Sequence, residues 1–88
     1  MLKYKLNVLD VFEVNEHYIE GTKEVHIDTV ILNEDGSDFY RGTTAVRFNR
    51  HGIFPLLDTI KGIFDDKNSF MDFVSYLRRY IKQQVRYL

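Results

Sequence analysis

Ser69-Phe70-Met71-Asp72-Phe73-Val74-Ser75-Tyr76-Leu77-Arg78-Arg79-Tyr80-Ile81-Lys82-Gln83-Gln84-Val85-Arg86-Tyr87-Leu88 is the stretch on which the fold turns. Phe70, Phe73, Val74, Leu77, Ile81, Val85 and Leu88 recur every three or four residues, which aligns them as one apolar stripe of an α-helix. Ser69 with Asp72 three residues on reads as a capping box, Asp standing for the usual Glu or Gln. An amphipathic helix has to lay its stripe on a second layer. The rest of the chain must supply that layer.

The outward side of the same helix carries two stripes. Arg79, Lys82 and Arg86 share one, with Arg78 to one side. Tyr76, Tyr80, Gln83 and Tyr87 form its neighbour. One account makes the tyrosines core-edge residues with wet hydroxyls and lets the bases favour the negative end of the helix dipole. Tyr and Arg are also the residues enriched at protein interfaces. Basic side chains beside rings suit nucleic-acid bases and phosphates as well.

Upstream, Ile53, Leu56, Leu57, Ile60, Ile63 and Phe64 also fall at helical spacing and predict a first helix. Pro55 fits its first turn, where a missing N–H costs nothing. Gly62 weakens it by about 1 kcal/mol relative to Ala. Asn49-Arg50-His51-Gly52 reads as the junction into this helical half.

Before the junction the pattern has period two. Leu2, Tyr4, Leu6, Val8, Phe12 and Val14 share one parity, against Lys3, Lys5, Asn7, Glu13 and Asn15. Asp10 breaks the alternation and predicts a bulge or bend there. Glu20-Gly21-Thr22-Lys23 reads as a turn, with Asn15-Glu16-His17 a weaker one. Val25, Ile27, Thr29 and Ile31 then oppose Glu24, His26 and Asp28. Asp35-Gly36 between two strand-like runs is a hairpin signal, because Gly accepts the positive φ of the turn. In the third run Tyr40, Thr44, Val46 and Phe48 oppose Arg41, Thr43 and Arg47.

The expected fold class is α+β: an antiparallel β-meander of three to four strands followed by two α-helices packed on one face. It forms a single domain over residues 1-88, with a β-sheet half at about 1-49 and a helical half at about 53-88. The 88-residue length supports one domain, and a chain this short buries only roughly 60% of its unfolded surface. Seven Phe and six Tyr supply the large rings a small core needs. With no Cys, thiolate chemistry and disulfide staples are excluded.

The N-terminal Met1-Leu2-Lys3-Tyr4-Lys5 lacks the apolar region of a signal peptide, and no apolar run has the length to span a bilayer. A cytoplasmic protein with no membrane partner is the expectation, and a chain running from Met into a terminal helix reads as a complete small gene product. One Ala and one Pro, against frequent Ile, Lys, Asn, Phe and Tyr, point to an AT-rich coding genome, such as a low-GC bacterium or its phage.

Charge divides the chain. Residues 1–40 hold three lysines against nine acids, while residues 41–88 hold nine bases against four acids. The net charge of −1 hides this polarity. Surface charges are mostly just solvated; a pole can also dock a partner of opposite sign. Glu16, Glu20, Glu24 and Asp28 fall at even positions, so a strand through Gly21 lines them on one face. Such a row resembles a phosphate backbone and offers a way to block a nucleic-acid-binding protein; a solvated outer sheet face is the simpler account.

Nothing nominates a catalytic, metal or cofactor site. His17, His26 and His51 sit at no recognised ligand spacing. Asn33-Glu34-Asp35-Gly36-Ser37-Asp38 is oxygen-rich, but its Gly is misplaced for an EF-hand loop. Gly42-Thr43-Thr44 lacks the spacing and Lys of a phosphate loop. Serines stand only at 37, 69 and 75, in no order suggesting a triad. The sequence therefore favours a small non-enzymatic protein-binding module, an adaptor or inhibitor. It would act through the Tyr/Arg helix surface, the acidic face, or a homo-oligomer built on either. Nucleic-acid binding through the basic, Tyr-bearing helix is the alternative.

Overall fold

The computed structural model describes residues 1–15 and 20–88. Four strands, β1 (Lys3–Glu13), β2 (Lys23–Leu32), β3 (Asp38–Asn49) and β4 (Gly52–Pro55), are followed by one α-helix, α1 (Lys67–Gln84). Short 3-10 turns occupy Leu57–Thr59 and Val85–Tyr87. The sheet is antiparallel with strand order β1-β2-β3-β4, so each strand neighbours the next in sequence. The meander is as expected, with four strands.

The helical half is a correction: α1 is the one α-helix among the described residues. Gly52–Pro55, expected to open a first helix, pairs with β3 instead, Asn49 opposite Gly52 and Val46 opposite Pro55. The Asn49 side-chain oxygen accepts from the His51 N–H at 2.8 Å, and Gly52 takes a φ of 147° that other residues rarely adopt. Pro55 ends an edge strand, where its missing N–H breaks no ladder. The Thr59 hydroxyl then donates to Leu56 O at 2.7 Å and accepts from Ala45 N at 3.1 Å. That side chain takes the Leu56 carbonyl, which a continuing α-helix would pair with the Ile60 N–H; Ile60 N–H bonds to Leu57 O instead. The apolar spacing still reports burial, since Ile60 and Phe64 are core residues.

The N-cap of α1 also differs from the expectation. Asp66, not Ser69, caps the helix: its carboxylate accepts from Ser69 N at 2.8 Å. The hydrogen bonds from Ser69 hold the Asp66 carboxyl below its ordinary value.

One face of the sheet receives α1. Val25, Ile27 and Ile31 from β2 and Val46 and Phe48 from β3 meet Phe73, Val74, Leu77 and Ile81 of the helix. Tyr4, Leu6 and Val8 of β1 pack against this core. Within it Thr29 and Thr44 are fully buried, their hydroxyls 2.8 Å apart. The Thr29 hydroxyl donates to Ile27 O, so Thr44 donates to Thr29.

The break at Asp10 is a β-bulge. Val8 pairs with Ile27 and Asp10 with His26, which leaves Leu9 extra and 59% exposed. The slip reverses the parity beyond it. Val11 therefore turns to the core, and Phe12, read as a core-side residue, lies on the opposite face with its ring 5.1 Å from His26.

Candidate protein-binding surface

Four of the helix residues singled out from sequence converge. Tyr76, Arg79, Tyr80 and Gln83 line a small cleft along one flank of α1. Tyr76 is half-buried, with its ring 4.9 Å from that of Tyr4 on β1. The Arg79 guanidinium lies 6.0 Å from the centre of the Tyr76 ring, a cation–π arrangement. Tyr80 is half-buried against the core. Lys82 and Arg86 are exposed and line none of the grooves described here. Tyr87 is 75% exposed in the 3-10 turn beyond the helix and stands outside the cluster.

The cleft continues into a groove of about 680 Å³ between α1 and the N-terminal half of β1, with Leu2, Lys3, Tyr4, Asp72, Tyr76 and Arg79 among its lining. Burial, reinforced by the Asp72 charge, raises the Tyr4 hydroxyl above its ordinary pKa.

β1 is an edge strand, and the direction of its free groups follows from the sheet. In antiparallel pairing, successive residues of a strand bond to alternate sides. Ala45 accepts from Leu56 N and donates to Thr59, so the odd residues of β3 turn toward β4 and the even ones toward β2. Even residues of β3 pair with odd residues of β2, as Thr44 does with Ile27. The even residues of β2 therefore serve β1, Asp28 meeting Asn7 and Val30 meeting Lys5. The main-chain N–H and C=O of Tyr4, Leu6 and Val8 are left pointing off the open edge. Past the bulge Val11 N–H also points outward, where the Asp10 carboxylate takes it at 2.9 Å. Among the described residues nothing pairs with the stretch from Tyr4 to Val8, whose Tyr4 end lines the helix groove.

The acidic residues lie elsewhere. Glu24 and Asp28 are on the sheet face opposite α1, Glu20 is exposed just before β2, and Glu16 lies outside the described residues. Glu24 is not a free charge. Its carboxylate meets Arg47 Nε at 2.8 Å and His26 Nε2 at 2.7 Å. Burial raises this carboxyl, but the hydrogen bonds from His26 and Arg47 outweigh it, and it titrates below its ordinary value. The register forms a rung across the whole sheet, Phe12–Glu24–Arg47–Phe54, with an ion pair between two rings that are 41% and 46% exposed. Phe12 and Phe54 escaped sequence reasoning. The bulge at Asp10, taken as a parity switch, is the signal that finds Phe12; Phe54 becomes visible only once β4 is known to be a strand.

Among the described residues no three His, Asp or Glu side chains converge as a metal-binding group, and no helix is long and apolar enough to cross a membrane. No protein-family model, no curated protein and no solved structure matches this chain.

Proposed function

We propose that the chain is a small non-enzymatic protein-binding module, an adaptor or inhibitor acting in the cytoplasm, with the Tyr76–Arg79–Tyr80–Gln83 flank of α1 as its docking surface. The observation that carries this reading is the adjacency of that flank to the open Tyr4–Val8 edge of β1. Tyr and Arg anchors beside unpaired main-chain groups combine the two kinds of contact that protein partners exploit. Nucleic-acid binding is less well supported, because stacking needs presented ring faces, whereas Tyr76 and Tyr80 are committed to Tyr4 and the core, and the exposed Tyr87 stands apart from them. An acidic mimicry face is likewise weakened by the neutralisation of Glu24.

A photo-crosslinking amino acid placed at Gln83, compared with one at exposed Asp58, tests the proposal in the native host. A single covalent protein adduct from position 83 and none from position 58 is expected. Adducts from neither position refute it, and light scattering of the purified chain tells a second copy from a different protein.

A further inference from the structure

We propose that the partner enters as an extended segment that adds a fifth strand to the Tyr4–Val8 edge of β1, with apolar side chains at alternate positions and acidic ones between them. The inference rests on the protein-binding reading above and specifies how the surface recognises its partner.

The face assignment follows from pleat geometry. Residues directly opposite each other in a sheet project to the same face. The groups free to pair are those of Tyr4, Leu6 and Val8, whose side chains face α1. Incoming residues that bond to them must also project toward α1, over the groove between Tyr4, Tyr76 and Arg79. Rings and half-buried apolar surface there favour aliphatic or aromatic side chains. The intervening residues project to the other face, beside Lys3 and Lys5, which are exposed and share that face with Asn7. Acidic side chains complement those lysines; on the helix side Arg79 and Asp72 both line the groove, so no acid is called for there.

A second copy of this chain is the obvious competitor. Antiparallel self-pairing centred on Leu6 sets Lys5 against Asn7 and Lys3 against the bulged Leu9, so no acid meets either lysine. The bulge at Leu9 and the Asp10 cap on Val11 also stop a long flat edge from forming. What remains is an edge of about five residues, suited to one short strand of a partner.

A random dodecamer display library selected against the full chain tests this, followed by anisotropy titration of the best synthetic dodecamer. Strand addition predicts a consensus alternating apolar and acidic residues. N-methylation of every second amide within that consensus should weaken binding at least tenfold, while methylating the intervening amides should not. Lys5→Glu should also weaken it at least tenfold with an unchanged melting temperature. Several results overturn the inference: no enriched sequence, a consensus spaced at three and four residues, equal tolerance of all N-methyl positions, or binding abolished by Phe54→Ser on the open sheet face but not by Lys5→Glu. Enriched peptides that ignore Lys5→Glu remove strand addition and leave the protein-binding reading standing. An empty selection together with no adduct from position 83 removes both.

Discussion

Gly42 lies under the ring of Tyr40: a Cβ at position 42 would come within 2.6 Å of Tyr40 Cζ. Elsewhere in a strand Gly is the weaker choice by about 0.5–1 kcal/mol relative to Ala. Here Gly42→Ala must push aside the far end of the half-buried Tyr40 side chain, and the expected cost is about 1 kcal/mol. Tyr40→Ala in the same chain removes the obstruction. A double-mutant cycle by urea unfolding should show the second change costing less in the Gly42→Ala background than alone.

Arg47 and His26 hold the Glu24 carboxylate, whose side chain is only 12% exposed. Arg47→Met leaves that charge with one fewer donor and should destabilise the fold by about 1–3 kcal/mol. The pH dependence follows from the lowered pKa. Glu24 is more acidic folded than unfolded, so its contribution is fully present above the ordinary value of 4.5 and is lost as pH falls through the folded value below it. Glu24→Gln should flatten the acid limb of a stability–pH profile, read by thermal melts between pH 2.5 and 6.

Within the core, Thr29→Val removes the proton on Ile27 O and the acceptor used by Thr44, an expected loss of about 1–3 kcal/mol. Replacing both threonines with valine leaves no stranded hydroxyl. Chemical denaturation should place the double variant above the sum of the two single losses.

Deleting Leu9 removes the bulge without reversing the parity of Val11 and Phe12. The result is a longer, flatter β1 edge, the form that pairs with other chains. Light scattering should show a higher mass for the deletion than for the intact chain at equal concentration.

Local periodicity made α1 and the strands β1 to β3 legible, because one apolar stripe and one period-two alternation each decide a face without knowledge of the remainder. The Ile53–Phe64 stretch was misread for a physical reason. Residues that bury themselves by turning through a strand and a 3-10 turn can share helical spacing, and what decides between them is the pairing of Val46 with Pro55 and the bond from the Ala45 N–H to the Thr59 hydroxyl. The Tyr76, Arg79, Tyr80 and Gln83 cluster was visible on the helix. Its neighbour, the Tyr4–Val8 edge, was not, because strand order decides which strand lies at an edge, and order is a property of the whole sheet. The charge division was plain in sequence, but its partial closure through Glu24 and Arg47 depended on register.

The sequence-ordered sheet has a kinetic meaning. Three hairpins can each form from residues close in the chain, and local contacts form fast. The return of α1 across β1 and β2 is the distant step, as in the bond from Lys23 Nζ to Leu88 O, 65 positions apart. The groove beside Tyr4 and Tyr76 exists only after that step. A chain caught with its sheet formed and its helix undocked has an edge but no groove, so anything that grips both walls would select the finished molecule and slow its unfolding.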